Sequence, residues 1–72
     1  MSDKMKILDS VALKKGIPDQ RLLPGQVGTI VEEWKPGIFE VEFSDLAGKT
    51  YAFAAVEESD LLLLHHSLEE AA

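Results

Sequence analysis

Three kinds of residue in this chain carry the chemistry a site would need: paired carboxylates, one pair of histidines and one tryptophan. The carboxylates stand at Glu32-Glu33, Glu40/Glu42 and Glu57-Glu58. Glycoside hydrolysis by two carboxyls requires that they face each other across a cleft. Glu40 and Glu42 lie two apart in an alternating run, so they share the convex face of one strand and do not confront one another. His65 and His66 are neighbours, so on a continuing strand they point to opposite faces, and no third ligand stands at tetrahedral spacing. There is no cysteine nucleophile, and Gly25-x-x-Gly28 lacks the helix that follows a phosphate-cradling or dinucleotide-binding loop. These patterns imply a protein that is not an enzyme, with no catalytic residue, no cofactor and no metal.

Trp34 is the most informative single residue. It lies outside any apolar alternation, bracketed by Glu32-Glu33 and by Lys35-Pro36-Gly37. A rigid aromatic beside carboxylates suits an anchor inside an electrostatically steered rim. The alternative is a tryptophan folded over its own sheet, capping the end of the domain. On the first reading, Glu32, Glu33, Trp34, Glu40 and Glu42 form the partner-binding surface.

The elements that must position these residues are strands. From Lys6 to Lys14, Ile7, Leu8, Val11, Ala12 and Leu13 suggest a first strand. Lys15 to Pro24 reads as a loop, and Pro24-Gly25 supplies turn chemistry. Gln26 to Glu33 is a second strand, and Gly28 within its β-branched run marks a bulge or the close approach of a backbone or ring. Trp34 to Gly37 reads as a hairpin connection. Ile38 to Ser44 is the clearest strand, with Phe39, Val41 and Phe43 on one face and Glu40 and Glu42 on the other. A turn at Asp45 to Gly48 leads to a fourth strand from Lys49 to Ala55. Its pairing is expected to set Phe43 beside Tyr51 and Val41 beside Phe53, which places Phe53 in the core. Strands two and three allow two registers, one burying Ile30 against Val41, the other burying Val27 and Val31. Val56 to Asp60 reads as a 3-10 turn, and Leu61 to Leu64 as a short last strand.

Seventy-two residues make one domain near the lower limit for a self-sufficient core. Residues 1–5 are expected to be disordered, 6–64 to form the domain, and 65–72 to be a flexible or weakly helical tail. Five short strands in this order favour closure over an open sheet with costly edges. The loop lengths suit a small five-stranded SH3-like barrel with a short 3-10 turn before the last strand. They fit an OB-fold less well, and another small β-meander is the alternative.

The net charge is −6 and unevenly spread. Residues 1–21 hold five basic and three acidic side chains, whereas residues 22–72 hold Lys35 and Lys49 against ten acids. Such a body repels phosphate backbones and releases few counterions, so no binding to RNA or DNA is expected. No stretch approaches the roughly 20 apolar residues of a membrane span, and no signal-peptide pattern opens the chain. With no cysteine for a disulfide or zinc-thiolate site, the chain reads as cytoplasmic.

Three blocks of the sequence also resemble a known family. Leu8 to Leu13, then Leu23-Pro24-Gly25-Gln26-Val27-Gly28-Thr29-Ile30-Val31-Glu32, then Phe39 to Phe43 with Gly48 and Tyr51, are similar to a DUF4926-like bacterial family of small domains of unknown function. Asp60-Leu61-Leu62-Leu63 corresponds to that family's last strand, so the likeness runs over roughly residues 7–64. It implies an SH3-like barrel, offers no catalytic residues, and suggests an antitoxin or immunity role because members are sometimes encoded beside toxin-like proteins. A looser likeness joins Gly25, Gly28 and Ile30 to the turn of ribosomal SH3-like modules, but Glu32-Glu33 stand here where those modules carry basic residues. The sequence therefore points to a protein-binding module whose partner presents a basic surface. The alternative is a structural or assembly subunit, including a homodimer through exposed strand edges.

Overall fold

The computed structural model describes residues 5–45 and 47–64. They form five strands: β1 (Ser10–Leu13), β2 (Val27–Lys35), β3 (Ile38–Ser44), β4 (Thr50–Glu57) and β5 (Leu61–Leu63). A 3-10 turn at Pro18–Gln20 interrupts the first loop, and a second at Glu58–Asp60 separates β4 from β5. The fold is all-β, with the 3-10 turn before the last strand as expected, and no α-helix occurs among the described residues. Of the expected terminal segments, 1–5 and 65–72, all but Met5 lie outside the described residues, and Met5 is partly buried against the core cluster.

All five strands belong to one antiparallel sheet, in the order β4-β3-β2-β1-β5. The sheet is not closed, because β4 and β5 are its two edges. It is nevertheless curled. In a flat five-stranded sheet the edges would lie about 19 Å apart. The step from Glu57 to Leu61 is four residues and spans at most about 14 Å. The short second 3-10 turn therefore pulls the two edges round towards each other. Curling of this kind encloses a core without a continuous ring of hydrogen bonds.

The concave face packs Val11, Leu13, Ile30, Phe39, Val41, Phe43, Ala54, Val56 and Leu61 into one cluster. Leu22 joins them from the long loop between β1 and β2. An isolated bridge between Ile17 and Leu22 closes that loop over the 3-10 turn and turns Leu22 inward. Two adjacent leucines just before Pro24-Gly25 were the available signal.

The fold corrects several expectations and decides one choice that was open. The first strand begins at Ser10 and not at Lys6. The Lys6 amide donates to the Asp9 carboxylate (2.9 Å) and the Asp9 amide to the Lys6 carbonyl (3.0 Å). This tight turn gives Leu8 a φ of 79° and leaves Ile7 and Leu8 exposed. Trp34 and Lys35 belong to β2, so the hairpin connection is only Pro36-Gly37, with Gly37 at φ 87°. Among the two registers for β2 and β3, Ile30 pairs with Val41 and is buried, while Val27 is exposed. A bulge does occur in β2, but between Ile30 and Glu32, and it takes up Val31.

The last correction concerns Phe53. Ser44 pairs with Thr50, as the turn length implies, but the register then shifts, so Phe43 pairs with Ala52 and Val41 with Ala54. Because strand side chains alternate with a period of two, that single extra residue at Tyr51 inverts the rest of β4. Ala52, Ala54 and Val56 turn inward, and Tyr51 and Phe53 turn out to solvent. Phe39, Val41 and Phe43 already fill the concave face from β3, and small residues opposite them complete the packing. The turn itself is held by Asp45, whose Oδ1 accepts the amides of Ala47 and Lys49, both at 2.9 Å.

Candidate functional site

Because β4 is inverted, the convex face gains two aromatic rings that the sequence reading assigned elsewhere. Reading across it, β2 contributes Trp34 and Glu32, β3 contributes Glu40 and Glu42, and β4 contributes Tyr51, Phe53 and Ala55. Glu32 pairs with Glu40, Glu40 with Ala55, and Glu42 with both Thr29 and Phe53. Trp34 is 61% exposed, Phe53 52% and Tyr51 46%.

Trp34 is placed by a second irregularity in β2, between Glu33 and Lys35. Its indole Nε1–H donates to Glu40 Oε1 at 2.8 Å. The ring is thus tethered over its own sheet by its edge and remains largely open to solvent. It takes no part in the buried cluster, so it does not cap the core. Glu42 is occupied differently, accepting a hydrogen bond on Oε2 from the Thr50 hydroxyl. Gln26 donates its side-chain amide to the Tyr51 hydroxyl, which ties the residue just before β2 to the start of β4.

Of the five residues proposed from sequence, Glu32, Trp34, Glu40 and Glu42 are brought onto this face. Glu33 is not, because it pairs with Phe39, whose side chain points into the core. Alternation places Glu33 on the opposite face, exposed at the end of the sheet. Phe53, Ala55 and Gln20 are the residues the sequence reading missed. Together with Trp34, Glu40 and Ala54 they line one shallow pocket at the border of the convex face and the first 3-10 turn. No signal in the local sequence reports the β4 bulge that exposes Phe53.

A second depression lies between Leu23-Pro24-Gly25-Gln26-Val27 and Ser44, Asp45 and Tyr51. Among the described residues no group of three or more His, Cys, Asp or Glu side chains is arranged to hold a metal ion. His65 and His66 lie outside those residues. None of the described helical segments is long and apolar enough to cross a membrane.

The arrangement defines a small, curled, all-β domain with an aromatic and acidic convex face. A family model for a domain of unknown function, DUF4926, matches residues 7–63, and the chain belongs to that family. Comparison with curated proteins and with solved structures found no significant match.

Proposed function

We propose that the domain is a non-enzymatic binding module that docks through its convex face on a protein with a basic surface. The observation that carries this reading is Trp34: a largely exposed ring, held in place by Glu40, among outward-facing carboxylates. Exposed tryptophans are frequent binding anchors, and a ring already tethered loses little conformational freedom on docking. The ten acids of residues 22–72 would steer a basic partner towards that anchor. An antitoxin or immunity role, with a basic toxin as partner in the cytoplasm, is the biological setting we favour.

The test is affinity capture from the native host, followed by measurement on the purified partner. Trp34→Ala should weaken binding by about 2 kcal/mol or more and leave the melting temperature nearly unchanged. Reversal of Glu40 and Glu42 to lysine should chiefly slow association, with an effect that fades as salt rises. A destabilised Trp34→Ala variant that binds normally would end the proposal, as would capture of RNA or DNA in place of a protein.

A second reading, a homodimerising or assembly domain, is favoured by β4. This eight-residue edge strand contains no proline and carries no charge from Thr50 to Val56, so it lacks the usual guards against edge pairing. The Glu58 amide donates to the Gly37 carbonyl at 2.8 Å, in register with the β3–β4 ladder. Antiparallel alternation then directs the backbone groups of Phe53 and Ala55 away from β3, towards the open edge. Self-association should appear in sedimentation equilibrium as a weak, concentration-dependent dimer. Ala55→Pro and Phe53→Lys should each abolish it without loss of the native circular dichroism spectrum. A chain that stays monomeric at millimolar concentration would exclude this reading.

A further inference from the structure

The geometry points to a specific occupant for the shallow pocket lined by Gln20, Trp34, Glu40, Phe53, Ala54 and Ala55: the guanidinium of an arginine side chain on the partner protein. This deepens the docking proposal above and rests on it. Three features of the pocket select that group.

The first is its pair of aromatic walls. Trp34 and Phe53 reach the pocket from β2 and β4, with the small residue Ala55 in the lining beside them. Exposed aromatic faces attract cations, tryptophan most strongly. The second is charge. Glu40 is the one ionisable residue of the lining, and no cationic side chain lines the pocket. Glu40 Oε1 accepts the indole N–H, and a carboxylate has lone pairs left to accept further donors. The third is the composition of the polar set. Gln20 also lines the pocket, and its side-chain amide carries a neutral oxygen acceptor. A planar guanidinium stacks on an aromatic face and directs several N–H groups outward in its own plane, whereas a lysine ammonium is a compact, strongly hydrated charge. A pocket lined by two aromatic residues, one carboxylate and one amide acceptor therefore fits arginine better than lysine.

The protein carries its own reporter, because Trp34 is its only tryptophan. The probe is N-acetyl-arginine methylamide, with the citrulline analogue as its neutral isostere and the lysine analogue as the compact cation. Arginine methylamide should change Trp34 fluorescence with saturation in the millimolar range and shift the amide resonances of Gln20, Phe53 and Ala55. The citrulline analogue should do neither, and the lysine analogue should bind more weakly. Glu40→Gln keeps an oxygen that can accept the indole N–H but removes the charge, and should weaken arginine binding about tenfold, the equivalent of one charge-assisted hydrogen bond. Phe53→Ala should weaken it as well, without a change in fold.

Equal response to arginine and citrulline would overturn the inference. So would shifts spread over Glu57 and Glu58 in place of the pocket, or tighter binding of lysine. The two proposals fail separately. Partner capture that depends on Trp34, with no response to arginine methylamide, removes the pocket assignment and leaves the docking face. Arginine binding in the pocket, with partner capture indifferent to Trp34→Ala, removes the docking face and leaves the pocket.

Discussion

Phe43→Ala should unfold this domain at room temperature. Phe43 is completely buried near the C-terminal end of β3, opposite Gly28 on one side and Ala52 on the other. Removing a buried phenyl ring forfeits its transfer free energy and leaves a cavity, at a cost of about 3–5 kcal/mol. A single-core domain of this length commands a total stability of roughly 3–5 kcal/mol. The loss is therefore comparable with everything that holds the fold. Neighbouring elements cannot collapse into the gap cheaply, because β3 is fixed by strands on both sides and Leu22 already fills the core from the loop. Circular dichroism and proton NMR at 25 °C should show loss of strand signal and of amide dispersion. A variant that melts cooperatively and loses less than about 1 kcal/mol would show that the ring is not a principal core element.

Gly28→Ala should come close to the same outcome by the opposite route. Gly28 lies near the start of β2, and its hydrogen atom stands where a methyl group would meet Val41 Cγ1 at 2.6 Å, the Glu42 carbonyl oxygen at 2.8 Å and Phe43 Cδ1 at 2.9 Å. Glycine is required here for space. At Gly25, Gly37 and Gly48 the reason differs, since each adopts a φ between 85° and 87° with nothing near the absent side chain. The three obstacles at Gly28 are two fully buried side chains and a backbone atom, none of which is the free end of a flexible chain. Accommodation demands that β2 and β3 move apart, which breaks both packing and ladder hydrogen bonds. Overpacking of this kind costs about 1–3 kcal/mol, and the backbone contact sets the value towards the upper end. Urea unfolding would measure it. Because Gly28 and Phe43 touch, Gly28→Ala combined with Phe43→Leu should cost less than the sum of the single changes. Simple additivity would mean that the ring is not what the new methyl group meets.

The sequence alone carried the strand pattern, because alternation of apolar and polar residues reflects a local property of the extended chain. Phe39, Val41 and Phe43 facing inward with Glu40 and Glu42 outward was legible from five consecutive residues. So was the 3-10 turn before β5, and Gly28 in its β-branched run announced either a bulge or the close approach of a backbone or ring, of which the structure shows the close approach. The exposed position of Trp34 followed from its neighbours as one of two alternatives, and in the structure the ring is largely exposed and outside the buried cluster. What only the tertiary structure decided depends on residue counts across strands. One extra residue at Tyr51 inverts β4, sending Phe53 to the surface and Ala52 and Ala54 to the core. One extra residue at Val31 keeps Glu32 on the face of Glu40 and consigns Glu33 to the other. A bulge costs little locally, so neither position is marked by an unusual residue; the choice rests on which side chains fit against Phe39, Val41 and Phe43 once the sheet has curled. The convex face and its pocket are for that reason a product of packing on the concave side.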